Sequence, residues 1–382
     1  MSLRIPVTPK ILLWAQSRSG RSDFELESRF KGLVDWKAGI KQPTIKQLES
    51  FAHATYTPVG YLFLQEPPQE KLPIPDFRTF QGKKPDKPSA KLLDTIYQCQ
   101  LRQEWYKEYA LINKESLVPF VESLNTKVGI VAAASQLRQI LSFDIESRGR
   151  TWSDAYKHLI DEAENLGALV MISGVVGSNT KRKLDPKEFR GFAISDKLAP
   201  LIFINGADTK AAQIFTLAHE IVHLCLGQSA VSNSDIVSMP NNKIEQWCNK
   251  VAAEFLVPAD TLANFEFDLS DMTLQLEHLA HKFKVSTLVI LRRLYDTKHM
   301  NKSDFQVAHD KELKRLLLIL ERRGGSGGDF YNTQPVRISK RFSRALIGST
   351  LEGQTLYREA FQMLGLKKVS TFNELAHRLG YM

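Results

Sequence analysis

Only three of the 382 residues are cysteine, Cys99, Cys225 and Cys248, and no two stand in CxxC spacing. This excludes a disulfide framework and a cysteine-built zinc finger, and it fits a reducing compartment. No apolar run approaches the roughly 20 residues needed to span a bilayer, and no early segment joins a basic start, an apolar stretch and a small-residue cleavage site. A cytoplasmic protein with no membrane partner is therefore expected. No repeat of fixed period is visible either. What the chain does have is 43% hydrophobic and 24% charged residues, enough for a folded core and for more than one domain. Lys and Arg outnumber Asp and Glu, 51 to 42, for a formal net charge of +9. Such a surplus favours acidic partners such as nucleic acid without saying anything about fold.

Residues 1–64 read as short helices with tight joints. Thr8 opens the first and Gly20 stops it; Ser22 opens a second carrying Phe24, Leu26 and Phe30; a third runs from Gly32 to Ala38. Pro43 and Thr44 start an amphipathic segment, and Tyr56 to Leu64 forms one more helix. This pattern suits a helix-turn-helix bundle. Prolines 67, 68, 73, 75, 85 and 88 then make residues 65–89 an extended linker. Over residues 90–300, helices at about 90–113, 131–142 and 152–166 precede apolar strands at 168–172, 189–194 and 200–204. Further helices follow at 210–226, 243–257, 273–283 and 286–297. Elements segregated in this way predict an α+β domain. A glycine-rich break, Gly324–Gly328, precedes a helical tail, so residues 301–382 form a fourth region. The predicted fold class is mostly α with a small α+β domain, a helix-turn-helix bundle before it and a helical tail after it.

The chemistry concentrates at His219-Glu220-Ile221-Val222-His223. Residues four apart share a helix face, so both imidazoles can take one zinc ion, and Glu220 stands next to them as general base. The flanks agree with a helix: Asp208 and Thr209 offer an N-cap, Leu217, Ile221 and Leu224 make an apolar stripe, and Gly227 ends it. A catalytic zinc needs a third protein ligand and one open position. Glu245 and Glu254 are the candidates; nine residues apart, they lie about half a turn out of phase and cannot both face the metal from one regular helix. Glu245 is preferred because Asn249, one turn on, shares its face and can hold a ligand imidazole. The small pair Ala252 and Ala253 lets this helix approach the HExxH helix. His278, His281, Arg293 and Tyr295 are unassigned candidates for an oxyanion donor. Cys225 lies about 200° round the helix from His223 and reads as core.

LAHEIVHL at 217–224 and EQWCNKVAAEFLVP at 245–258 resemble the two motifs of the ImmA/IrrE family of metallopeptidases, in the right order and separation, with Cys248 where the family usually has alanine. The resemblance implies a gluzincin-like site with Glu245 as third ligand. Trp36-Lys37-Ala38-Gly39, Gln42-Pro43-Thr44, Gln47-Leu48, Tyr61-Leu62-Phe63-Leu64 and Pro75-Asp76-Phe77-Arg78 are similar to the Xre-type helix-turn-helix often fused to these peptidases. Family members of known role cut a partner repressor, often encoded beside them, and so release transcription. Two functions are compatible with these features. One is a zinc endopeptidase of narrow specificity acting on a helix-turn-helix repressor or other regulatory protein. The other is a DNA-binding regulator or antitoxin-like factor whose metal site is structural or inactive. The presence of Glu220 favours the enzyme, because a structural zinc site has no need of a base. For DNA contact the candidates are Arg29, Lys31, Lys37 and Lys41, clustered around the third helix.

Overall fold

Capping decides where the short N-terminal helices begin and end. The structure is a computed structural model that describes residues 3–78, 87–232, 242–265, 271–322 and 337–381. Helix α1 (Pro9–Ser19) is stopped by Gly20 in the left-handed region at φ 66°. Ser22 caps α2 (Asp23–Arg29), α3 spans Leu33–Lys37, and Thr44 caps α4 (Ile45–Thr55). In α2 and α4 the cap is a reciprocal box, with Glu25 or Gln47 returning a hydrogen bond from the cap's own N–H. Ile11, Leu12, Leu26, Leu33, Trp36, Leu48 and Phe51 close a common core. The expected helix from Tyr56 to Leu64 is a single 3₁₀ turn, Val59–Phe63. Pro58 and Gly60 flank and interrupt a stretch too short for a regular α-helix. These elements belong to a compact unit of residues 1–73 and 87–93, and the second unit comprises residues 74–86 and 94–382.

The second unit is built on a four-stranded mixed sheet of order β1-β3-β2-β4, formed by Leu169–Ser173, Gly191–Ile194, Leu201–Asn205 and Ala230–Ser232 as β1 to β4. β1 runs parallel to β3, with Val170 opposite Ile202, while β2 is antiparallel to both β3 and β4. Every residue of these strands is buried, so both sheet faces are covered. Alternation sorts their side chains: Val170, Ile172, Ala193, Ile202 and Ile204 join the main core. Met171 instead meets Cys99 of α5 (Ala90–Ile112), and Phe192 stacks on Phe203 at 5.0 Å.

The main core also takes in α6 (Ile130–Ile140), α7 (Trp152–Asn165), α8 (Lys210–Cys225), α9 (Lys243–Leu256), α11 (Met272–Phe283) and α12 (Thr287–Asp296), with the short α10 (Ala259–Ala263) between α9 and α11. α8 is buried on all sides from Gln213 to Cys225, as befits a central helix packed on β2, β3, α7 and α9. Gly191 permits this close approach: a Cβ there would lie 2.7 Å from the Thr216 methyl. Arg148, 1% exposed, donates to the carbonyls of Leu256 and Phe283 and so ties the ends of α9 and α11 together.

Residues 301–382, expected to be helical, supply the remaining described helices. Lys302–Arg322 form a further helix, α13. The C-terminal helices Lys340–Leu351, Tyr357–Leu364 and Val369–Arg378 belong to the same contact unit as the sheet. Ser339 donates to the Glu164 carboxylate of α7 at 2.5 Å, and Arg341 donates to Tyr106 and Glu115. The glycine-rich break at 324–328 lies outside the described residues.

Candidate metal centre

Thr209 starts α8 by accepting from the Ala212 N–H, and one turn separates His219 from His223 on the helix. Asn242 starts α9 by accepting from the Ile244 N–H, which places Glu245 in the first turn. The packing of α9 on α8 then brings three donor groups together. The two Nε2 atoms are 3.0 Å apart, Glu245 Oε1 is 2.8 Å from His223 Nε2, and Glu245 Oε2 is 3.3 Å from His219 Nε2. His219 and His223 are fully buried, and Glu245 is 2% exposed. This is the described group of His, Cys, Asp and Glu side chains whose ligand atoms converge closely enough for one metal ion.

The donor set fits a divalent cation. Neutral imidazoles and an ionised carboxylate present lone pairs to a common point, and nothing but a proton or a cation relieves such an arrangement in a buried pocket. Burial alone would raise the Glu245 pKa, but the imidazoles, as protonated cations donating to the carboxylate, overcome that and hold it down at about 2, and a metal cation would take the place of those protons. Two nitrogens and one oxygen also match the preference of zinc and its neighbours among the transition metals.

Glu220 is fully buried and differently placed. One carboxylate oxygen accepts a hydrogen bond from the Ser232 hydroxyl of β4, whereas Oε2 has no partner among the described residues. Burial pushes its pKa up, against the pull of His219 and His223. A carboxyl group held above its ordinary range beside a metal-ligand trio is suited to taking a proton and passing it on.

Glu254 goes elsewhere. One of its oxygens accepts from the Ala259 N–H and the other pairs with the Arg293 guanidinium, which also donates to the Val257 carbonyl. Arg293 is thereby committed to a structural ion pair. Among the other oxyanion candidates, Tyr295 stacks on Phe305, His281 stands edge-on to Trp152, and His278 is exposed. Cys225 is buried in the core, its thiol pushed up to about 12 by burial. Asn249 holds neither imidazole: its Oδ1 is buried without a partner, as is His219 Nδ1. The group next to His223 Nδ1 is the Cys248 sulfur, at 3.9 Å. Cys248 is three residues beyond Glu245, hence on its helix face, and that phase was readable in the sequence.

Phe77 and Ser232 are the other neighbours that sequence reasoning missed. Residues 75–77, assigned to the linker, add a parallel bridge to β4: Val231 donates to the Pro75 carbonyl and Phe77 donates to that of Val231. The Phe77 ring then lies 6.2 Å from that of His223. Arg78, 2% exposed, anchors this segment through Asp76 and Glu188. Within the first unit, Lys37 pairs with Asp23 at 2.5 Å and Lys41 with Asp35 at 2.8 Å. Arg29 lies over the Phe30 ring, and Lys31 is exposed.

Compared with models of protein families, residues 163–295 match peptidase family M78, described as the IrrE N-terminal-like domain. Residues 338–378 match a domain of unknown function, DUF8813. The first match runs from the end of α7 into α12 and contains the sheet, the converging trio and Glu220, which supports a metallopeptidase. The second covers the three C-terminal helices. No curated protein matches the chain. Among the described residues no helix is long and apolar enough to cross a membrane.

Proposed function

We propose that this chain is a zinc-dependent endopeptidase of narrow specificity that cuts a regulatory protein, with a helix-turn-helix transcriptional repressor as its substrate class. The observation that carries this reading is the buried convergence of His219, His223 and Glu245 beside a second buried carboxylate, Glu220, with one oxygen unpaired. Zinc bound by the trio would acidify a water molecule and polarise a peptide carbonyl. Glu220 takes the proton of the attacking water and delivers it to the leaving amine, while Ser232 fixes its other oxygen and so its orientation. Complete burial of both histidines and of Glu220 supports a site that admits only a segment able to enter it, hence narrow specificity.

The N-terminal unit is read as the recruiting module. Pairing of Lys37 and Lys41 with acidic residues of their own bundle leaves them little charge for phosphates and favours a protein partner over DNA.

Elemental analysis tests the ligand set. Purified protein is expected to hold about one zinc per chain. His223→Ala and Glu245→Ala lose it, whereas Glu254→Gln and Glu220→Gln retain it, and Glu220→Gln no longer cleaves a co-expressed repressor that wild type cuts. Zinc that persists after Glu245→Ala would sink the ligand assignment. Zinc absent from the wild type would return the chain to the regulator reading.

A further inference from the structure

Away from the metal centre, α5, the loop after β1 and the residues that lead into the C-terminal helices line a small solvent-open cleft. Two guanidinium groups face it, Arg102 on α5 and Arg337 next to Ile338, and no described carboxylate lines it. Arg102 donates through Nε to the Met363 carbonyl at 3.1 Å and rests Nη1 against the Met171 sulfur at 3.9 Å, which leaves Nη2 without a partner among the described residues. Arg337 is half-buried and forms no hydrogen bond or ion pair with any described residue. Burial pulls both guanidinium groups below their ordinary range, and the charge of Arg337 adds to the effect at Arg102. Two partly desolvated like charges sharing a concave surface are costly unless an anion sits between them.

The rest of the lining agrees. Gln98 and Ser178 contribute neutral polar groups, and Gly177, at φ 55°, brings the loop so close that a Cβ there would lie 3.2 Å from Gln98. The N–H groups of Gly177 and Ser178 donate to no described residue. Cys99, also in the wall, has its thiol pushed up to about 12 by burial, which makes it an inert surface rather than a nucleophile. Two cations with several neutral donors match a tetrahedral dianion better than a planar monovalent carboxylate.

We propose that this cleft binds a phosphate dianion, free or as the terminal group of a small phosphorylated metabolite, with Arg102 and Arg337 as its charged donors. Because Arg102 also holds the Met363 carbonyl and Ser178 reaches that of Gly365 at 3.4 Å, occupancy would tighten the docking of the C-terminal helices on the sheet.

The test follows thermal unfolding of the full chain at pH 8 against sodium phosphate, with sodium chloride at matched ionic strength, and against adenosine 5′-monophosphate as a second probe. Wild type is expected to gain stability saturably with phosphate and not with chloride. Arg337→Gln should raise the half-saturating concentration about tenfold, and Arg344→Gln, at an exposed position of the helix Lys340–Leu351 that does not line the cleft, should leave it unchanged. Arg337 is the position to vary, because Arg102 also holds the Met363 carbonyl and its loss would disturb the C-terminal helices themselves. Phosphate alone acting identifies a free-anion site, and both probes acting identify one for a terminal phosphate; either outcome supports the proposal. A gain that is linear in phosphate and equal in Arg337→Gln is the general salting effect of phosphate and overturns it, as does equality with chloride.

Discussion

Gly191→Ala tests how the sheet positions α8. The added methyl would lie 2.7 Å from the Thr216 Cγ2, 3.0 Å from the Phe203 carbonyl oxygen and 3.1 Å from Glu220 Oε1. Thr216 cannot rotate away freely, because a β-branched residue inside a helix has few χ1 choices. The Phe203 carbonyl belongs to the strand facing β2 and cannot retreat without disturbing the ladder. The methyl must therefore push α8 outward, and overpacking of this kind costs about 1–3 kcal/mol. The stiffness of both neighbours places Gly191→Ala in the upper half of that range. Urea denaturation reads the cost as a lower midpoint at unchanged slope in the transition of the second unit. Thr216→Ser removes the nearest atom, so the double variant should recover about 1 kcal/mol relative to the sum of the single changes. Glu220 is displaced along with the helix, and cleavage should fall further than the stability loss explains. A Gly191→Ala protein within about 0.5 kcal/mol of wild type, or a double variant with no recovery, would refute this account of the close approach.

Arg293→Met leaves the buried Glu254 without its cation, which should cost about 3–5 kcal/mol in denaturation experiments while zinc content stays at the wild-type level; loss of zinc would mean that Glu254 matters to the centre after all. Glu164 supplies a pH dependence. Burial pushes its carboxyl from 4.5 up to about 7, with Ser339 and Lys340 pulling the other way. Between those two values the native state holds a proton that the unfolded chain has released, so stability is greatest at the acid end and falls as pH rises towards 7. Worked from that gap, the loss is about 3 kcal/mol between pH 4.5 and 8, and Glu164→Gln should abolish that part of the slope in urea midpoints measured across the range. An unchanged slope would remove Glu164 as its source.

The convergence of His219, His223 and Glu245 is legible in the sequence because its determinants are local. Helical phase within α8 puts His219 and His223 on one face, and phase within α9 separates Glu245 from Glu254, so neither step needed knowledge of the sheet. Strands β1 to β3 announce themselves as apolar runs bounded by turn residues. β4 does not: Ala230–Ser232 is three residues long, and its meaning lies in what it touches, the Glu220 carboxylate on one side and residues 75–77 on the other. Prolines 73 and 75 correctly exclude a helix, but an extended segment can equally be free or paired to a sheet edge. The choice depends on Val231, more than 150 residues away in sequence. Docking of the C-terminal helices depends in the same way on long-range partners, Glu164 and Tyr106 among them. The helical spacing of Phe342, Ala345 and Leu346 gave the helix without saying what it covers.

Three buried glutamates stand within 35 residues of one another in the sequence, and their unequal pairing sets them apart. Glu254 has both oxygens engaged, by the Ala259 N–H and by Arg293, and a buried carboxylate so closed can only hold the fold together. Glu245 divides its oxygens between two imidazoles whose own lone pairs point at the same place, an arrangement that repels unless a positive charge joins it. Glu220 has one oxygen fixed by Ser232 and the other unpaired, and an unsatisfied buried acceptor costs about 1–3 kcal/mol. Net stabilities of domains are only about 5–15 kcal/mol, so a fold retains several such costs in one place only where a ligand completes the pattern. Glu245 and Glu220 are thus the incomplete members of the set, and the proposed function completes one with a cation and the other with a transferred proton.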